Sequence, residues 1–437
     1  MRLGDALPDI STPVPADEGL AWVERLAASE CPALTTRRKR REEQTGASHD
    51  PIVWVEAVGS NVRDADGNVY VDLTSGFGVA FVGHRRPEVV DAVKYQAGRL
   101  VHALGDLHPS DVKIELLERL CALAPWKNAR AMLSLGGADA ITAALKTAVL
   151  ATGKPGVVAF EGSYHGLTYG PLAVSGYAKR FREPFSAQLQ PGVQFVPWPE
   201  RDADGESVCA SWNVDWSRVG AVVVEPVQGR AGVRLPPPGF LAALGETCRK
   251  NDALLIVDEI FTGLGRTGTW WCSVADGAEP DLVCAGKALG GGLPISACIG
   301  REGVMQAWGD PDREAIHTGT FFGDPLGAAA ALATLDIIER ERLGEAAVAQ
   351  GNRLASALTA ERLPRVREVR HIGLMLGIQL DRDALGLTVT RKMLERGYLV
   401  LPAGAKADVI QLAPPATISD AQLDGFVDAF GQALRAS

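Results

Sequence analysis

The chain has 437 residues, 46% of them hydrophobic and 22% charged, with a formal net charge of -9. That length supports about two to three domains' worth of core, or one large domain with a smaller one. The acidic balance argues against nucleic acid or an anionic membrane surface as a main partner. Seven scattered cysteines show no Cys-x-x-Cys or Cys/His spacing, so neither a disulfide framework nor a metal site is expected, and reduced, cytoplasmic thiols are the simpler reading. No apolar signal core follows Met1-Arg2-Leu3-Gly4-Asp5, and no apolar run approaches the roughly 20 residues of a membrane span.

Residues 1–50 read as an N-terminal arm, broken by Pro8, Pro13 and Pro15, with a helix-like segment from Leu20 to Ser29. The cluster Arg37-Arg38-Lys39-Arg40-Arg41 adjoins Glu42-Glu43 and reads as a solvated helix face rather than a nucleic-acid patch. Val53, Val55 and Val58 then alternate up to the Asp64-Ala65-Asp66-Gly67-Asn68 turn, beyond which Val69, Val71 and Leu73 alternate again. That pattern predicts a hairpin in a small antiparallel lobe. After Pro87, apolar residues at helical spacing predict helices through Leu100 and again over Ile114 to Leu123.

From about residue 130, short apolar runs at Val157–Phe160, Val193–Val196, Ala221–Val224, Leu254–Val257 and Leu282–Cys284 alternate with helical stretches. The alternation predicts an α/β fold with a mostly parallel sheet and helices on both faces, whose ligands lie at the carboxyl ends of the strands. Those ends carry Glu161, Glu225, Asp258 and Lys287. An Ala-rich helix, Leu326–Ile338, leads to a final lobe with a helix near Gly344–Leu358. Strands around Gly373–Leu380 and Leu399–Pro402 and a closing helix from Asp420 complete it.

Lys287 stands out in this order. It follows the apolar run Leu282–Ala285 and precedes Gly290-Gly291-Gly292, which would let other groups approach its amine. A lysine desolvated at a strand end can lose its proton and attack a carbonyl. Read alone, a capping or solvated lysine is the commoner case.

The segments Asp258-Glu259-Ile260-Phe261-Thr262-Gly263-Leu264-Gly265-Arg266-Thr267-Gly268 and Gly286–Pro294 resemble the signature of the class III pyridoxal-phosphate aminotransferases, of fold type I. The resemblance runs from about Pro51 to the C-terminus. It implies pyridoxal 5'-phosphate (PLP) as cofactor, a homodimer with shared active sites, a large PLP domain, and a smaller α+β domain built from both chain ends. The boundaries that follow are an arm over 1–50, small-domain parts over 51–95 and 337–437, and the PLP domain over 96–336.

By the same resemblance Lys287 would form the Schiff base and act as general base, and Asp258 would keep the pyridine nitrogen protonated. Gly137 and Ala138, at the start of the helix Ala140–Leu150, would hold the phosphate through backbone amides. Tyr164 would lie on one face of the ring and Ile260 on the other, Glu225 would hold the site by hydrogen bonds, and Thr320, or else Thr318, would reach the partner's phosphate. His84 and His165 read as turn or supporting groups, and the nine tryptophans show no cage-like cluster.

The chain also departs from the pattern. Gly136 and Ala138 stand where similar proteins carry hydroxyl residues, Asp139 where they carry Glu, and Phe261 where many carry a glutamine. Relatives using glutamate or 2-oxoglutarate bind its carboxylate with an arginine before an Ala-Pro-Pro segment and carry a glutamate after Val-Gln-Gly. Here those positions are Gln411 and Arg230. Either Arg230 takes over carboxylate recognition or the acceptor differs, unless Arg230 simply faces solvent or pairs with an acid. The expected activity is ping-pong transfer of an amino group from an amine or amino acid to an oxo acid. A racemase, aminomutase or decarboxylase on the same fold, or a non-catalytic scaffold, is the alternative. A nicotinamide dehydrogenase lacks its Gly-x-Gly-x-x-Gly turn here.

Overall fold

The computed structural model describes residues 3–310, 312 and 314–437, so Met1 and Arg2 at the start of the arm lie outside the described residues. The chain forms two compact units, Pro87–Ala347 and a unit joining Met1–Arg86 to Val348–Ser437.

The Pro87–Ala347 unit is organised by a seven-stranded sheet. Its strands run in the order Ala129–Ser134, Ser296–Arg301, Leu282–Ala285, Leu254–Asp258, Val219–Val224, Gly156–Phe160, Val193–Val196. Ser296–Arg301 is antiparallel to both neighbours and the remaining pairings are parallel. Strands buried on both faces need apolar residues at every position, which is why these segments read as unbroken Val and Ile runs. Val157, Ala159, Ala221, Val223, Ile256 and Cys284 pack under the helix Gly137–Thr152. Their alternates Val158, Phe160, Val222, Val224, Leu255 and Val257 pack against Phe240–Lys250 on the opposite face.

The second core also holds tryptophan. Trp198 and Trp212 do gather, edge-on around Phe160 and Phe240 with ring centroids 5.6 to 6.4 Å apart, but as packing beneath the sheet. Each such pair adds about 0.5–1.5 kcal/mol beyond burial.

The other unit draws on both chain ends. One sheet has the order Trp54–Val58, Asn61–Asp64, Val69–Asp72, Tyr398–Leu399, with the last strand parallel to its neighbour. The second is antiparallel, in the order Val366–Ile372, Met375–Leu380, Val409–Leu412, Leu401–Ala403. The Asp64–Asn68 turn joins two strands as its sequence predicts, but a further turn at Gly59-Ser60 makes this segment three strands. The turn's polar residues anchor the arm: Asp66 accepts from the amides of Ala16, Glu18 and Gly19, which open the helix Asp17–Ser29. Asn68 accepts from Ser11 and Thr12. The basic cluster lies on the helix Pro32–Thr45, which buries no residue. No described helix is long and apolar enough to cross a membrane, and the seven cysteines are free thiols.

Candidate active site

The carboxyl ends of the parallel strands and the start of the helix Gly137–Thr152 share one edge of the seven-stranded sheet, and the chemistry of the unit collects there. Asp258 ends its strand 5% exposed. Its Oδ2 accepts a 2.7 Å hydrogen bond from His165 Nδ1, and its Oδ1 accepts from the Ile260 amide at 3.1 Å. Burial opposes charge on His165, but the hydrogen bond and charge of Asp258 outweigh it and hold its pKa above the ordinary value. The other ring nitrogen, Nε2, is buried without a partner among the described residues. The reading of His165 as a supporting group thus becomes specific: it fixes the Asp258 carboxylate.

Glu225 follows the Val219–Val224 strand and accepts from the Tyr164 amide at 2.9 Å. Burial, with Asp258 adding to it against the opposing pull of His165, pushes its carboxyl up to about 7. Lys287 is half-buried. Burial pulls its amine down to about 8, against the charges of Asp258 and Glu225, which favour the ammonium, while Arg266 adds to the fall. Its Nζ lies 4.0 Å from the centre of the Phe261 ring, and its backbone has a φ of 40°. A non-glycine residue held there stores about 1–2 kcal/mol, so the turn that aims this side chain is over-determined by its surroundings. Gly291 serves that turn: its φ is 56°, and a Cβ on it would fall 2.5 Å from Thr334 Oγ1. Glu161, expected among the converging groups, is exposed and contributes only backbone, its carbonyl accepting from Gln228 Nε2 at 2.8 Å.

Gly136 caps the helix Gly137–Thr152, and its amide donates to Asp139 Oδ2 at 3.1 Å. The Gly137 and Ala138 amides are the first two N–H groups of the helix and have no partner among the described residues. Ser296, at the start of the antiparallel strand, donates its hydroxyl to the Gly136 carbonyl at 2.7 Å and steadies this turn. The turn admits only small residues, since a Cβ on Gly137 would lie 2.6 Å from Ile260 Cδ1 and one on Gly166 2.9 Å from Ala138 Cβ.

Thr318 and Thr320 are both exposed, but Thr318 spends its hydroxyl on Asp106 at 3.2 Å. Arg230 is exposed at the tip of a loop after the Val219–Val224 strand, its guanidinium carbon 4.5 Å from the Tyr164 ring centre and 5.1 Å from that of Tyr177. Gln411 belongs to the other compact unit, in the strand Val409–Leu412, with its Nε2 buried and unpartnered among the described residues. Sequence reasoning passed over Ser296, Tyr177 and Phe181. Ser296 opens a strand directly after the glycine-rich turn, which is a usable signal; the two aromatics carry none.

PLP demands an amine for its carbonyl, donors for its phosphate, and a carboxylate for its ring nitrogen. Desolvated Lys287, two free amides at a helix N-terminus and Asp258 held by His165 fit those demands. Residues 44–434 match the family model described as aminotransferase class-III. The chain is 36% identical, over 89% of its own length and 95% of the relative's, to an acetylornithine aminotransferase of Methanothermobacter thermautotrophicus. Among solved structures it resembles an (S)-enantioselective omega-transaminase from Thermomicrobium roseum, with a TM-score of 0.85, 29% identity and coverage of 96% of this chain and 99% of that one. It also resembles an amine transaminase of an uncultivated Pseudomonas species in its PLP-bound form, with a TM-score of 0.81, 28% identity and coverage of 88% and 95%. The chain therefore belongs to the class III aminotransferases, enzymes that transfer amino groups with pyridoxal 5'-phosphate.

Proposed function

We propose that the residues gathered at this sheet edge carry an amino-group transfer between an amine or amino acid and an oxo acid, with Lys287 as the proton-moving group. The observation that carries the reading is the Lys287 amine, drawn down to about 8 by burial yet flanked by two carboxylates. When bound, PLP supplies the carbonyl that exchanges amines and an electron-withdrawing ring that holds the charge left as Cα gives up its proton. Lys287 Nζ, with an appreciable neutral fraction near neutral pH, would take the Cα proton and return it. Asp258, fixed by His165, would hold the proton on the ring nitrogen. The Gly137 and Ala138 amides would hold the phosphate, and Tyr164 and Ile260 would pack the ring, with Glu225 orienting Tyr164 through its amide.

A homodimer acting in the cytoplasm completes the proposal. Val101, Leu104, Leu107, Ile316 and Phe321 are all exposed. Their two segments are tied together by the Thr318 to Asp106 hydrogen bond and by a 5.4 Å contact of the His102 and Phe321 rings. A contiguous apolar surface of this kind marks an interaction site, and a second copy of the chain is its proposed occupant. Thr320, with its hydroxyl uncommitted among the described residues, is then the choice to reach the partner's phosphate. The reduced thiols favour a reducing compartment.

The test is to load the protein with PLP and offer amino donors, N-acetylornithine first because of its relatives' names, each with a panel of oxo acids. Stoichiometric appearance of the new amino compound, lost in Lys287→Ala, is expected. Racemisation or decarboxylation of the donors without transfer would overturn the reading.

A further inference from the structure

Arg230 has a setting that amino transfer alone does not explain. Its loop is closed by two 3.1 Å backbone hydrogen bonds between Gln228 and Arg234, and Gln228 is pinned to the end of the Gly156–Phe160 strand through the Glu161 carbonyl. Val233, with a φ of 55°, and Gly232, at 109°, turn the loop back on itself. A loop closed in this way presents its tip in one place.

Three rings surround the guanidinium at that tip: Tyr164 at 4.5 Å, Tyr177 at 5.1 Å and Phe181 at 5.8 Å. Tyr164 and Tyr177 meet edge-on, 6.4 Å between centroids. Aromatic faces attract a cation but offer its N–H groups only weak acceptors. No carboxylate among the described residues pairs with Arg230. The outcome is a cation seated against aromatic rings with no carboxylate partner among the described residues, and a guanidinium so placed can engage a planar carboxylate through two parallel hydrogen bonds. Tyr164 is also the residue whose amide is bonded to Glu225, so the cage shares a wall with the Lys287 group.

We propose that Arg230, oriented by Tyr164, Tyr177 and Phe181, is the specificity residue that recognises the carboxylate of the enzyme's substrate. The proposal rests on the amino-transfer reading of the Lys287 site and names the substrate class for it: amino and oxo compounds bearing a carboxylate, in preference to simple amines. The carboxylate comes either from the α-position or from the far end of an ω-amino acid.

The experiment uses the PLP-loaded enzyme and three donors of matched carbon skeleton: an α-amino acid, an ω-amino acid and the amine lacking a carboxylate. Arg230→Met is expected to raise KM for one carboxylate donor by about tenfold or more relative to its effect on the simple amine. The donor so affected identifies which carboxylate is bound. Arg230→Lys, which keeps the charge but not the fork, should fall between. Tyr177→Leu leaves Arg230 in place and loosens its cage, and it should shift the same KM in the same direction. Unchanged carboxylate-to-amine ratios in Arg230→Met would overturn the proposal. If the wild type transfers from no donor, the amino-transfer reading fails instead. Calorimetric titration with unreactive propionate then still decides: binding lost in Arg230→Met supports the assignment, and equal binding removes it.

Discussion

Lys287 and Glu225 are the two groups whose protonation the fold bends most usefully, and they oppose one another. Each carries a burial penalty for its charged form, and each charge relieves the other's. In the cofactor-free protein, pH-dependent modification of Lys287 by an amine-selective reagent should therefore reach half its maximal rate near pH 8, not near the ordinary 10.5. Glu225→Gln keeps an acceptor for the Tyr164 amide but removes the negative charge that favours the ammonium, so the midpoint should move lower still; an upward move would refute the coupling. The variant also has a stability signature. With a folded pKa near 7 against an ordinary 4.5, native Glu225 binds more protons than the unfolded chain across that window, so its contribution to stability falls as pH rises through it. Glu225→Gln should therefore raise Tm above pH 7, and the gain should disappear below about 4.5. Melting curves at the two ends of the window check it.

At the scale of the element, the helix Gly137–Thr152 is buried along the face that packs on the sheet, and its first turn is cut to fit Ile260. Adding a methyl by Gly137→Ala places it 2.6 Å from Ile260 Cδ1, and either the isoleucine or the helix start must shift. The expected outcome is weaker retention of PLP on dialysis with little change in Tm, and partial recovery in Gly137→Ala with Ile260→Val, which removes the offending carbon. The arm offers a second case. Asn61 is fully buried and satisfies the Gly4 and Ala6 amides and the Ala6 and Tyr70 carbonyls. Asn61→Leu strands those groups, with a cost of about 1–3 kcal/mol for each one left buried and unpaired. Hydrogen exchange should show residues 4–12 opening first, ahead of global unfolding.

These elements also show how far the sequence could be read. The double-sided Val and Ile strands and their helices were legible because burial on both faces leaves an uninterrupted apolar run. The Ala129–Ser134 and Ser296–Arg301 strands were not, because the first is an edge strand with Arg130 exposed and the second begins inside what reads as a glycine-proline loop. Asp258 and Lys287 were legible as polar residues ending apolar runs. His165 could be noticed but not assigned, since only the fold brings it across 93 positions to Asp258. The Arg230 cage was illegible for the same reason: Tyr164, Tyr177 and Phe181 have no shared periodicity. The Asp64–Asn68 turn was legible as a turn, but not as the anchor of the arm, because side-chain bonds spanning about 50 positions leave no local pattern.

For the whole molecule the question is whether one chain can make a complete site. The proposed dimer answers that it cannot, and subunit mixing tests this more sharply than measuring mass. Thr320 is exposed, with its hydroxyl unpartnered among the described residues, in the segment proposed to share an apolar surface with Val101, Leu104 and Leu107, the last 75% exposed. If that surface meets its own copy, Thr320 serves the partner's phosphate rather than its own subunit's. A Lys287→Ala subunit then has a sound threonine but no amine, and a Thr320→Ala subunit the reverse. Reassociated from equal amounts, about half the dimers are mixed, and each mixed dimer regenerates one intact site, so about a quarter of all sites become whole. Assayed at limiting PLP, where the missing hydroxyl weakens cofactor retention, the mixture should exceed the mean of its two parents. The same pair carried on Leu107→Asp chains should sediment as monomers and show no gain. An unmixed, additive activity from dimers shown by sedimentation to have exchanged subunits would mean that Thr320 serves its own chain. A monomeric wild type would remove the shared site altogether.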